Sequence, residues 1–182
     1  ILTKKNWIFT DMIKTLNING IQKREMNALC FCCKNGYFEI VKYICETNTF
    51  NISEKNELAF KLSCQNGNLE IVKYLLNLYS DIDIFIDNFE PFTLSCISGN
   101  LEMVQYLINK FPEIVEFSNM NDIFISVCEC GNIEIAKFLI DIKPDINFLI
   151  NNQDIIKLVS INGHLNILKW LFEIEPNIMK NK

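Results

Sequence analysis

Residues Gly67-Asn-Leu-Glu-Ile-Val-Lys-Tyr-Leu-Leu76 decide how this chain folds, because the phrase occurs five times in all. The other copies are Gly36-Tyr-Phe-Glu-Ile-Val-Lys-Tyr-Ile44, Gly99-Asn-Leu-Glu-Met-Val-Gln-Tyr-Leu107, Gly131-Asn-Ile-Glu-Ile-Ala-Lys-Phe-Leu139 and Gly163-His-Leu-Asn-Ile-Leu-Lys-Trp-Leu171. Successive glycines are 31, 32, 32 and 32 residues apart. Self-similarity at that period marks a stacked repeat architecture. Each unit then rests on its neighbours instead of on one shared core.

Working outward from the glycine, apolar residues fall two, four, five, eight and nine positions later, as in Leu69, Ile71, Val72, Leu75 and Leu76. That spacing predicts one apolar stripe of a short helix. Upstream, Leu62-Ser-Cys64 and Leu94-Ser-Cys96 keep helical phase in a first helix that the glycine closes. Asn68, Asn100 and Asn132 are expected to N-cap the second helix, with Glu70, Glu102 and Glu134 in its first turn. Seven residues after each glycine stands an aromatic (Tyr43, Tyr74, Tyr106, Phe138, Trp170), expected as packing between neighbouring units. Asn56, Asn88 and Asn152 read as turn tips between units. Asp81-Ile-Asp-Ile84 and Asp145-Ile-Asn-Phe148 alternate like short hairpin arms.

Composition bounds the function. Of 182 residues, 49% are hydrophobic and 21% charged, which is globular. A net charge of −5 gives no basic face for nucleic acid. No apolar run reaches the roughly 18 residues a membrane span needs. Four of the eight cysteines, Cys33, Cys64, Cys96 and Cys128, recur three residues before a glycine, where the fifth copy has Ser160. A small residue at one fixed phase is a packing position. Unpaired thiols fit a reducing, intracellular compartment. The chain opens at Ile1 without an initiator methionine, as a piece of a longer protein would.

Helix, tight turn, helix and projecting arm resemble the ankyrin repeat, and Gly67 to Leu76 match that family's second-helix motif almost residue for residue. The resemblance covers residues 24 to 180 and implies an all-α solenoid of stacked helix-turn-helix units with short β-hairpin or loop arms. Its units are expected at 24–54, 55–86, 87–118, 119–150 and 151–182, after a degenerate half unit at 1–23. In that half unit Thr10-Asp-Met-Ile-Lys-Thr-Leu16 echoes the refrain. The family's Thr-Pro-Leu-His opening survives only as Pro91, although Asn27, Asp122 and Asp154 stand at its threonine phase and are candidate caps. The Asn- and Ile-rich style resembles the ankyrin-repeat families of giant DNA viruses.

Catalytic signals are thin. His164 is the single histidine, in a helix-start turn, and reads as structural. Cys30-Phe-Cys-Cys33 and Cys128-Glu-Cys130 lack metal spacing, because helical neighbours two apart diverge. No glycine-rich phosphate loop occurs. No catalytic, cofactor or metal residue is assigned.

The resemblance implies a protein partner on the concave face formed by arm tips and first helices. By phase, those positions are Lys23, Arg24, Met26, Lys34 and Asn35, then Glu54, Lys55, Glu57, Gln65 and Asn66. Next come Ile86, Asp87, Phe89, Ile97 and Ser98, followed by Ser118, Asn119, Asn121, Glu129 and Cys130. The last set is Ile150, Asn151, Gln153, Ile161 and Asn162. Ile86, Phe89 and Ile97 are expected as an exposed apolar patch, while Gly36, Gly67, Gly99, Gly131 and Gly163 hold the structure. The expected function is a non-enzymatic, monomeric scaffold for another protein. The alternatives are the substrate-recognition arm of an adaptor such as a ubiquitin-ligase subunit, and an array that self-associates end to end.

Overall fold

A computed structural model describes residues 21–46, 56–80, 82–148 and 152–176; side chains are described from 28, 57 and 155 onward in the segments that begin on a helix. Residues 1–20 of the half unit expected at 1–23, and the arms at 47–55 and 149–151, lie outside the described residues. Eleven α-helices occur among those described, and no strand.

The chain forms two compact units, Ile1–Ile84 and Phe85–Lys182. In the first, α1 (Ile21–Asn35) and α2 (Phe38–Glu46) form one hairpin, and α3 (Asn56–Gln65) and α4 (Leu69–Leu78) form the next. α1 packs on α3 and α2 on α4. The second unit holds α5 (Ile86–Ile97), α6 (Leu101–Lys110), the short α7 (Glu113–Phe117), α8 (Met120–Glu129), α9 (Ile133–Ile142), α10 (Asn152–Ile161) and α11 (Leu165–Ile174). There α5 packs on α8 and α8 on α10, with α6 on α9. Helices of nine to fifteen residues are marginal alone, so their stability comes from these neighbours.

The repeat phases sort by burial. Leu29, Phe60, Phe92 and Phe124, seven before their glycines, are buried, as are Cys33, Cys64, Cys96 and Cys128. Ser63 and Ser95 sit fully buried beside the thiols, each hydroxyl donating to the carbonyl four residues back, Ala59 at 2.9 Å and Pro91 at 2.8 Å. Val41, Val72, Val104 and Ala136 fill the second-helix stripe without exposure. In the last hairpin this burial loosens: Ser160, at the thiol phase, is exposed and Ile156 and Leu168 are half-buried, while Val159 stays buried.

Each glycine ends its first helix at positive φ, from 70° at Gly67 to 84° at Gly131. After four of these glycines the next amide reaches back five residues, as Asn132 does to the Val127 carbonyl at 3.1 Å, which satisfies an orphan helix-end acceptor; the Asn100 amide donates to the Ser98 hydroxyl at 3.3 Å.

The residues after the glycines correct one expectation. Asn68 and Asn132 make no side-chain cap bond; their amides reach into the preceding hairpin. Asn68 Nδ2 donates to the carbonyls of Cys33 at 2.7 Å and Lys34 at 3.2 Å. Asn132 Nδ2 donates to Cys96 at 3.2 Å and Ile97 at 2.8 Å. His164 Nε2 lies 2.9 Å from the Glu129 carbonyl, and since a carbonyl only accepts, this nitrogen carries the proton. Asn100 does cap its own helix, accepting from the Met103 amide at 3.0 Å. The carbonyls of each first-helix end are polar groups in a packed joint, and pairing them outweighs one local cap.

Two further readings shift. Of the three asparagines expected at turn tips, only Asn88 is left-handed (φ 58°), within Asp87-Asn-Phe89; Asn56 and Asn152 begin helices. Asn119, not Asp122, caps α8: its Oδ1 accepts from the Asp122 amide at 3.4 Å, and its Nδ2 donates to the Asp122 carboxylate at 2.7 Å. The arms keep their alternation without strand pairing, with Ile82, Ile84, Ile146 and Phe148 buried and Asp83, Asp145 and Asn147 exposed.

Candidate partner-binding surface

The first helices bury one side and expose the other. On α1, Leu29 and Cys33 are buried while Phe31 and Lys34 face water; on α3, Phe60 and Cys64 are buried while Leu58 and Gln65 face out. Phe31 packs on Tyr37 with ring centroids 6.2 Å apart, so an aromatic pair marks the α1–α2 turn. Neither Phe31 nor Leu58 was among the expected contact residues. Leu58 is apolar where the other copies have Asn27, Glu90, Asp122 and Asp154, which is a readable signal; Phe31 shares its phase with Leu62 and Leu94 and gives none.

The expected residues divide. Lys34, Gln65, Asp87 and Asn119 are exposed, and Glu57, Ile86, Ile97, Asn121 and Glu129 half-buried. Lys23, Arg24 and Met26 lie on α1 and Gln153 on α10, where their side chains are not described; Glu54, Lys55 and Asn151 lie outside the described residues. Ser118 is buried, its hydroxyl without a hydrogen-bond partner. Asn119 and Asn121 also serve structure, Asn121 Oδ1 accepting from the Asn147 amide at 2.8 Å.

Phe89 overturns the expected patch. It is 9% exposed, because the left-handed turn at Asp87-Asn-Phe89 points the ring inward. Phe85 takes the outer position instead at 42% exposure, edge-on to Phe89 (centroids 5.4 Å apart) and to Phe111 (6.5 Å). Lys110 Nζ lies 5.9 Å from the Phe111 ring centroid. After Pro112, the chain makes α7, ending in Phe117 at 65% exposure. Lys143 Nζ ties that helix down by donating to the Val115 carbonyl at 3.2 Å. Along this elbow, which runs from the Phe85–Phe111 contact to Phe117, Asp87, Glu113 and Glu116 are exposed.

Two rings of the aromatic column bridge neighbouring hairpins, each with a different partner. Tyr74 stands edge-on to Phe38 at 5.6 Å, and Trp170 meets Phe124 at 6.1 Å. The buried thiols are held protonated: burial pushes Cys32 to about 11 and both Cys33 and Cys128 to about 12. A thiol held so far above neutrality is a poor nucleophile. Among the described residues, no three His, Cys, Asp or Glu side chains stand together as a metal set. No described helix is long and apolar enough to cross a membrane.

The sequence profile of the family described as ankyrin repeats (3 copies) matches residues 5–88 and 92–182. This chain belongs to the ankyrin-repeat family. A search of curated proteins returned no match. Ankyrin repeats generally mediate protein–protein interaction and are typically non-enzymatic. In this ankyrin array, the positions that hold the stack are the buried phases, which leaves the exposed first-helix residues and the elbow free to vary.

Proposed function

We propose that this chain is a non-enzymatic recognition scaffold that binds another protein through its concave face, built by the first helices and arms of repeats at 24–54, 55–86, 87–118, 119–150 and 151–182. One observation carries the reading. From one first helix to the next the buried phases repeat in chemistry, with thiols at Cys33, Cys64, Cys96 and Cys128 and phenylalanines at Phe60, Phe92 and Phe124. The outward phases share none: two residues before the glycine stand Lys34, Gln65, Ile97, Glu129 and Ile161, and nine before it Leu58, Glu90 and Asp122. Packing demands uniformity at the first set, and only a partner would select among residues at the second. A preformed surface of this kind binds with little ordering cost.

The test is capture of proteins by the immobilised chain, comparing wild type with Phe31→Ser/Leu58→Ser and with the second-helix change Lys42→Ala/Lys137→Ala. Proteins retained by wild type and by the second-helix variant should be lost from the first-helix variant. Identical capture by all three, with helicity unchanged by circular dichroism, would sink the reading.

A further inference from the structure

We propose that the downstream face of α10 and α11 is a receiving face for a further hairpin of the same repeat, carried in cis beyond the arm that begins at Pro176. The interior joints show which phases look downstream. Phe38, two residues after its glycine, meets Tyr74 of the next hairpin. Phe124, seven before its glycine, meets Trp170. Cys33, three before, is hydrogen-bonded to Ser63 of the next first helix. The glycines abut the incoming side chain: a Cβ would stand 2.8 Å from Asn68 at Gly36, 2.9 Å from Asn132 at Gly99 and 2.6 Å from His164 at Gly131.

The same four phases are uncovered on α10 and α11. Leu165 is 57% exposed, Ser160 is exposed, Ile156 is half-buried, and a Cβ on Gly163 would meet nothing within 4 Å. Ile155, Val159, Ile167 and Leu171, on the other sides of these helices, stay buried. A unit that closes a stack carries a polar outer face. This face is apolar instead, with Ile156 and Leu165 joined by half-buried Leu168 and exposed Phe172. The joints already made define what fits. The incoming turn needs an amide or imidazole one residue after its glycine, to reach the Ser160 and Ile161 carbonyls as Asn132 reaches those of Cys96 and Ile97. An aromatic seven after that glycine would lie on Leu165 as Tyr74 lies on Phe38.

The sequence after α11 points to the source. Pro176-Asn-Ile178 stands at the phase of Pro112-Glu-Ile114 and Pro144-Asp-Ile146. Those two stretches open the arms that lead into α8 and α10, and Ile114 and Ile146 are buried there. An arm of the same pattern therefore follows the uncovered face.

The test inserts a second copy of residues 111–142 between Ile174 and Glu175, in register with the repeat, and follows amide hydrogen exchange in α10 and α11 by mass spectrometry. Exchange there should slow about tenfold relative to the unextended chain. Asn132→Ala in the added copy alone should return about threefold of that, the size of one lost hydrogen bond. Leu165→Asp/Phe172→Asp should abolish the slowing while leaving the helicity of the unextended chain unchanged, since both side chains are exposed there. Asn166→Asp/Lys169→Asp, on exposed positions of the same helix, should leave the slowing in place. No slowing, slowing that survives Leu165→Asp/Phe172→Asp, or equal loss from the two pairs would overturn the proposal. The unextended chain should sediment as a monomer. A dimer dissolved by Leu165→Asp/Phe172→Asp would give the face to a second copy and overturn the cis hairpin.

Discussion

Asn132 and Ile97 are joined across 35 residues of sequence, the amide Nδ2 of one donating to the backbone carbonyl of the other at 2.8 Å. The same amide lies 3.2 Å from the Cys96 carbonyl, so one side chain satisfies two acceptors of the preceding hairpin. Asn132→Ala leaves both without this donor, at a cost of about 1–3 kcal/mol in urea unfolding. Asn132→His should recover much of that loss, since His164 serves the equivalent carbonyl of Glu129 at 2.9 Å. Equal damage from alanine and histidine would show that the bond is not what the position supplies.

Gly99 and Gly163 share a left-handed backbone, φ 80° and 75°, yet differ in what surrounds them. A Cβ on Gly99 would stand 2.9 Å from Asn132 Oδ1, whereas one on Gly163 meets nothing within 4 Å. Both alanine variants carry the conformational cost of about 1–2 kcal/mol. Gly99→Ala should lose more, because it also displaces the Asn132 side chain. Thermal unfolding of the pair gives the comparison, and equal melting temperatures would refute the contact.

Phe89 is a core residue with an unfavourable backbone. Phe89→Ala should cost about 3 kcal/mol, as buried aromatic truncations do. Its neighbour Asn88, exposed at φ 58°, offers the opposite change. Asn88→Gly removes the left-handed penalty, a gain that the higher entropy of the unfolded glycine chain reduces to a few tenths of a kcal/mol. A lower urea midpoint for Asn88→Gly would count against the turn.

Alkaline pH should expose the buried thiols. An unfolded cysteine releases its proton near 9.0, while burial holds the folded Cys128 thiol protonated to about 12. The thiol's contribution is complete below pH 9 and is lost as pH rises from 9 towards 12, at about 1.4 kcal/mol per pH unit. Cys33 behaves alike, with its Ser63 hydrogen bond opposing part of the upward shift. The slope of stability against pH between 9 and 11 should therefore flatten in Cys128→Ala. An unchanged slope would place that thiol in water.

The sequence made the stack legible because its demands are periodic. Each described first helix ends on a left-handed glycine, and the position three residues before it is small in all five copies, so Gly99 and Cys96 announce themselves. Asn132 was read as a helix cap because its local geometry permits one; the competing acceptors lie 35 residues away, where no spacing rule points. Phe85 and Phe89 are four apart and both apolar, and the left-handed turn at residue 87 alone decides which ring faces in. The α7 helix had a readable cue in Pro112 before Glu113, a helix-starting pair set within an arm.

The bonds from Asn68, Asn132 and His164 all end on main-chain oxygens. A main-chain oxygen is present whatever residue occupies the position, so the receiving side of each joint places no demand on its own sequence there. All the information for the fit sits in the incoming hairpin, in one amide or imidazole. Such a joint is interchangeable on one side: a hairpin can be duplicated, deleted or exchanged during evolution provided the newcomer carries its own donor. Lengthening or shortening the array then requires no matched change in the hairpin that receives it.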